Sequence, residues 1–172
     1  SFAARAWWMF RWVGHEKVAL LNGGWQAWEG PKSSGSNPKP YRSNFKIKST
    51  LTKLITMQKL KTNESAQLVD ARSLERWSGE KEPIDRVSGH IPNAVCYPFT
   101  ENLEDGNRFK SATELRLRFQ DLKEPIICYC GSGVTAAHNL LSLKIAGFSE
   151  PTLYAGSWSE WIEYDENPIA RN

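Results

Sequence analysis

The stretch that most restricts how this chain can fold is Ile126-Ile-Cys-Tyr-Cys-Gly-Ser-Gly-Val-Thr-Ala-Ala-His138. A β-branched, aromatic-rich run behind Pro125 has the continuous apolar character of a strand buried on both faces. Two glycines follow Cys130 within three residues, and Thr135–Ala146 then reads as a helix that stops at Gly147. A cysteine is thereby delivered to the carboxyl end of a strand, on a tight loop that feeds a helix. Open α/β sheets place their chemistry at such points.

The loop chemistry follows from the residue types. Glycines let successive backbone N–H groups turn inward, and a helix start adds the positive end of its dipole. A free thiol has a pKa of about 8.5, and such surroundings lower it to roughly 3.5–7.5. Cys130 is therefore read as a nucleophilic thiolate; the competing reading is one more small buried core residue. Ser132 and Thr135 offer hydroxyls, although a turn serine and a helix cap account for them equally well. Arg72 and Arg76 stand i,i+4 behind the strand Gln67–Asp70, and a forked contact from either would hold an anionic substrate. The competing reading there is structural pairing with Asp70, Glu75 or Glu80. His90 and His138 are not placed to act as bases, Cys96 reads as core, and Cys128-x-Cys130 without further ligands does not make a zinc site. A cysteine phosphatase needs an arginine six residues past its nucleophile. Position 136 is alanine and Gly131–Ala137 carries no cation, so phosphoryl transfer is disfavoured.

Strands alternating with helices specify a mostly parallel sheet with helices on both faces. The expected elements are strands at 67–70, 95–97, 126–130 and 152–154, with an edge strand at 45–48. Helices are expected at 50–60, through Trp77, and at 113–122 behind the capping box Ser111-x-x-Glu114. An internal repeat extends the pattern. Gly14 and Gly147 lie 133 positions apart, and so do Gly23 and Gly156, Trp25 and Trp158, and Trp28 and Trp161. Each copy reads as helix, short strand (18–21 in the first) and a Gly-x-Trp-x-x-Trp segment, which implies duplicated domains. Residues 1–30 then form the tail of a first domain. They are expected to pack on the rest, since exposing Trp7, Trp8, Phe10, Trp12 and Trp25 together invites aggregation. Residues 31–44, rich in Pro, Ser and Gly, are a linker, and the second domain runs over 45–172.

With 172 residues, a net charge of +3 and no basic run interleaved with aromatics, nucleic-acid binding has little support. No apolar run approaches the ~20 residues of a bilayer span. Three cysteines make no disulfide framework, which fits a reducing, cytoplasmic compartment.

Four motifs together resemble the tandem-domain rhodanese sulfurtransferases. They are Cys130-Gly-Ser-Gly-Val-Thr-Ala136, Asp70-Ala-Arg-x-x-x-Arg76, Gly89-His-Ile-Pro92 and Gly156-Ser-Trp-x-x-Trp161. The loop is more similar to the 3-mercaptopyruvate type than to the thiosulfate type, which usually has a basic residue after the cysteine. The resemblance implies a rhodanese-like fold with 45–172 as the catalytic domain, and a persulfide on Cys130 cradled by Gly131, Ser132, Gly133, Val134 and Thr135. Arg76 would bind a small anionic donor, with Ser132 assisting. The family's second arginine follows a Glu-Pro pair; here Ile84 follows Glu82-Pro83, and Arg86 is the candidate replacement. Neither a cofactor nor a metal is implied. The acceptor would be cyanide or a thiol such as thioredoxin or a small dithiol, and the body of the first domain would come from elsewhere, another chain included. Two alternatives stay open: thiosulfate as donor, and a persulfide-carrying binding module with little turnover.

Overall fold

The computed structural model describes residues 1–36, 42–105 and 107–172; part of the 31–44 linker therefore lies outside the described residues. In chain order come helix α1 (Phe2–Trp12), a 3-10 turn (Trp25–Ala27), β1 (Lys53–Ile55), α2 (Met57–Lys61), β2 (Gln67–Asp70), α3 (Leu74–Ser78) and β3 (Val95–Cys96). A second 3-10 turn (Phe99–Asn102) leads to α4 (Ala112–Arg118), β4 (Ile126–Tyr129), α5 (Ala136–Ile145), β5 (Thr152–Tyr154) and α6 (Ser157–Trp161). The sheet order is β1-β5-β4-β2-β3 and every pairing is parallel. The α/β architecture with helices on both faces thus holds, with the sheet wholly parallel.

The sheet separates two apolar cores, and the period-2 alternation of its strands decides which residue enters which. Val69, Cys128, Cys130 and Leu153 face a core built with α1, α4 and α5. Leu68, Ile127, Tyr129 and Tyr154 face the other, filled by Met57 and Leu60 of α2 and by Trp158 and Trp161 of α6. All four residues of β4 are buried, as expected of a central parallel strand. Ser111 and Glu114 form the capping box at the head of α4, the serine accepting from the Glu114 amide while the carboxylate accepts from Ser111.

Four local expectations are corrected. The single helix over 50–60 is instead β1 followed by α2: Leu51 and Leu54 have helical spacing, but pairing of Lys53–Ile55 with Thr152–Tyr154 overrides it. The cap is accordingly Thr56, which accepts from the Lys59 amide. Residues 18–21 form no strand, because no sheet edge lies beside them; Val18 and Leu20 simply lean on the α1/α5 core. Residues 45–48 are likewise irregular, held by the Lys48 amide donating to the Val13 carbonyl at 3.0 Å. Finally, α1 buries Ala4, Trp7 and Trp8 against α5, but Phe10, Trp12 and Trp25 remain exposed. Of the repeated pairs, Gly14 and Gly147 both take left-handed φ (79° and 83°) just past the ends of α1 and α5, whereas Gly23 and Gly156 differ (86° and −61°).

Candidate active site

Cys130 directly follows β4, the strand flanked by β2 and β5 at the middle of the sheet. The head of α6 fixes its backbone. The Cys130 amide donates to Ser157 Oγ (3.1 Å), whose hydroxyl donates in turn to the Tyr154 carbonyl (3.0 Å). The Cys130 and Gly131 carbonyls accept from the Trp158 and Ser159 amides at 3.0 and 2.9 Å. Ser157 holds φ at 57°, a left-handed conformation rare outside glycine and concentrated at functional sites. Here it turns the hydroxyl into both bonds.

The sulfur lies on the α5 side. Cys130 is 2% exposed and belongs to the same core cluster as Ala136 and Ala137, the first residues of α5. Among the described residues, the amides of Gly131, Ser132, Gly133, Val134 and Thr135 donate to no protein acceptor, and the Ser132 and Thr135 hydroxyls bond to no other protein group. Helix starts and glycine loops with unpartnered N–H groups are ready-made anion sites. Gly133 has φ +73°, and a Cβ there would lie 2.5 Å from the Ala155 carbonyl and 3.0 Å from Arg5 Nη1. Only glycine fits.

Three arginines expected at the site have separate fates. Arg76 comes to the loop: a Cβ on Gly131 would lie 3.5 and 3.6 Å from its two terminal nitrogens. Its Nε donates to Glu82 (3.0 Å) and its Nη2 to Asp85 (2.8 Å), leaving Nη1 without an acceptor among the described residues. Burial works against the Glu82 charge, yet hydrogen bonds from Arg76 and the amides of Asp85 and Ile84 outweigh it and hold the carboxyl below its ordinary range. Arg72 does not reach the loop. It is 2% exposed, donates to both oxygens of Asp70, to Glu82 and to the Gly89 carbonyl, and lies 4.9 Å over the Trp158 ring. The structural pairing with Asp70 is therefore the one realised. Arg86 donates through its guanidinium to the Ile162 carbonyl just past α6.

The histidines are structural. His90 stacks on Trp77 (4.2 Å between centroids) and donates through Nδ1 to the Trp77 carbonyl. His138 stacks on Phe109 at 4.5 Å and accepts at Nδ1 from Asn102; burial pushes its imidazole down to about 4. Cys96 donates to the Arg72 carbonyl and burial pushes it up to about 12, while Cys128, wholly enclosed, is pushed higher still by burial and by its neighbour Cys130.

Three contributors escaped the sequence reading. Ser157 and Ser159 lie in the Gly156-Ser-Trp-x-x-Trp161 repeat, whose tryptophans drew attention while its serines bind the loop. Ser159 Oγ sits 2.8 Å from both Asp85 Oδ1 and the Gly131 carbonyl, tying the arginine cluster to the cysteine loop. Arg5 of α1, 128 positions away, donates to the Gly133 carbonyl. No local pattern announces such a contact.

Residues 54–164 match the model of the rhodanese-like domain. This chain belongs to the rhodanese family. Among curated rhodanese relatives it is 43% identical over 182 residues to a probable 3-mercaptopyruvate sulfurtransferase of Pseudomonas aeruginosa, matching 99% of this chain and 64% of that protein. It is 38% identical to a thiosulfate sulfurtransferase of Gallus gallus, over 94% of this chain and 59% of the relative. The chain thus spans less than two thirds of the length of these relatives. The crystal structure of the Tum1 protein from Saccharomyces cerevisiae superimposes with a TM-score of 0.83 at 29% identity, covering 99% of this chain and 66% of that one.

Proposed function

We propose that this rhodanese domain transfers sulfur from 3-mercaptopyruvate to a thiol or cyanide through a persulfide on Cys130. The observation that carries the reading is the run of five loop amides, Gly131 to Thr135, that directly follows the free Cys130 and has no protein acceptor among the described residues. Such a cradle favours negative charge on sulfur, first as thiolate and then as persulfide.

In the first step the Cys130 thiolate attacks the donor's sulfur. An S–S bond forms, the donor's C–S bond breaks, and the electron pair passes to the methylene carbon. The adjacent ketone stabilises that pair as an enolate, and uptake of one proton gives pyruvate. In the second step a thiol or cyanide attacks the outer sulfur, and the S–S pair returns to Cys130. The donor's carboxylate takes the free Nη1 of Arg76, and the open hydroxyls of Ser132 and Thr135 supply further donors. Low exposure of Cys130 keeps water from the persulfide. The three cysteines form no disulfide, in keeping with a reducing compartment such as the cytoplasm. No helix among the described residues is long and apolar enough to cross a membrane.

Mass spectrometry after exposure to 3-mercaptopyruvate tests the reading. One added sulfur on the Cys130 peptide, absent in Cys130→Ser, is expected, and cyanide should discharge it as thiocyanate. No added sulfur from that donor but a gain from thiosulfate would reassign the donor. A stable adduct that neither cyanide nor dithiols discharge would make the chain a carrier.

A further inference from the structure

We propose that Arg5, on α1, is a positioning residue of the active-site loop that sustains the negative charge on Cys130. The inference rests on the thiolate reading above and assigns part of its cause to a helix outside the matched domain region.

The sequence places no cation in Gly131–Ala137, and the structure supplies one from elsewhere. Arg5 Nη1 donates to the Gly133 carbonyl and stands 3.0 Å from where a Cβ on that glycine would be. Among the described residues Arg5 forms no ion pair, and its Nε is buried without an acceptor. The Gly133 carbonyl belongs to the same planar peptide unit as the Val134 N–H. Polarising the oxygen strengthens that N–H as a donor, and it is one of the five facing no protein acceptor. The contact also pins Gly133 in its left-handed conformation.

The other charged groups around the loop do not supply this positive charge. On the β2–β3 side, Arg72 and Arg76 are matched by Asp70, Glu82 and Asp85, which leaves that cluster with an excess of acid. Glu160 lies against Gly156 on α6, adding a further carboxylate. His138 on α5 is buried and, its imidazole pushed down by that burial, neutral near pH 7; Cys128 on β4 keeps its proton. Among the described residues, Arg5 is the unmatched cation in contact with the loop.

The test is the pH profile of Cys130 alkylation by iodoacetamide, followed on the Cys130 peptide by mass spectrometry. Arg5→Gln keeps a neutral donor for the carbonyl, and Arg5→Lys keeps the charge. The profile of Arg5→Gln is expected to move up by about one pH unit, and that of Arg5→Lys by less than half as much. Arg11→Met is the control, since it removes the Glu150 pair and the Leu51 contact from the same helix. It should lower the melting temperature without moving the profile. Superimposable profiles for wild type and Arg5→Gln would overturn the proposal, and so would an equal shift in Arg11→Met, which would reduce Arg5 to helix docking. If Arg5→Gln does not fold, Arg5→Met and Arg5→Lys give the same contrast. A wild-type profile like that of an ordinary thiol would overturn the thiolate reading itself, a result distinct from both.

Discussion

Two loops leave the carboxyl ends of neighbouring strands and handle polar groups in opposite ways. After β2, five charged side chains satisfy one another: Asp70, Arg72, Arg76, Glu82 and Asp85 form a chain of ion pairs at 2.7–3.3 Å. After β4, no side chain in Gly131–Thr135 carries a charge, and five successive amides have no protein acceptor among the described residues. A saturated network fixes geometry and has little left to offer a ligand. An unsaturated loop is held from outside, by Ser157, Ser159 and Arg5, and keeps its own donors for what arrives. On the proposed function, shape comes from the first loop and chemistry from the second, and Arg76 Nη1 is where the two meet.

The largest expected effect is on the open loop. Cys130→Ser should bring sulfur transfer to background with the melting temperature nearly unchanged, measured as thiocyanate release from cyanide. Next comes the saturated loop. Arg72→Leu leaves the wholly buried Asp70 carboxylate without its partner, and urea unfolding should read a loss of about 3–5 kcal/mol. A loss below about 1 kcal/mol would mean that Arg72 is not the clamp its contacts imply.

Gly133→Ala probes how tightly the open loop is held. Left-handed φ and a Cβ 2.5 Å from the Ala155 carbonyl should together cost about 1–3 kcal/mol and depress transfer. Gly147→Ala, at a similar φ with open space around it, isolates the backbone contribution at about 1 kcal/mol. Arg76→Ala should raise KM for 3-mercaptopyruvate roughly thirtyfold, about 2 kcal/mol, with a smaller change in kcat. The effect is bounded because two carboxylates already compete for this guanidinium. An unchanged KM would remove Arg76 from donor binding.

The contrast between the loops also marks what the sequence could disclose. Strand β4, the turn after Cys130 and helix α5 were legible because each is written in consecutive residues: an apolar run, two glycines, an alanine-rich helix. The capping box at Ser111 was legible for the same reason. Strand β1 was not, since its three residues become a strand only by pairing with β5, nearly a hundred positions on. Arg72 and Arg76 share one motif and one charge, and sequence alone could not say which would be enclosed. Side-chain direction decided it: Arg72 turns back along β2 to Asp70, and Arg76 turns across α3 to the loop. Arg5 was invisible because its role is created by packing.

The smallest expected effect is a slope with pH, set by a residue beside neither charged cluster. His138 sits on α5, stacked on Phe109, with Nδ1 accepting from Asn102, and burial pushes its imidazole from an ordinary 6.5 down to about 4. Between those values the unfolded chain binds a proton that the folded one refuses, so stability rises with pH across this window and falls as acid is added. The loss between pH 7 and pH 5 should be about 1–2 kcal/mol for this group. His138→Phe keeps the stacking and removes the proton site, so its urea midpoint should change less over that interval than the wild type's. Parallel pH dependences would show that protonation of His138 is no harder in the folded state. The slope over that interval would then fall to His90, whose imidazole burial also pushes down.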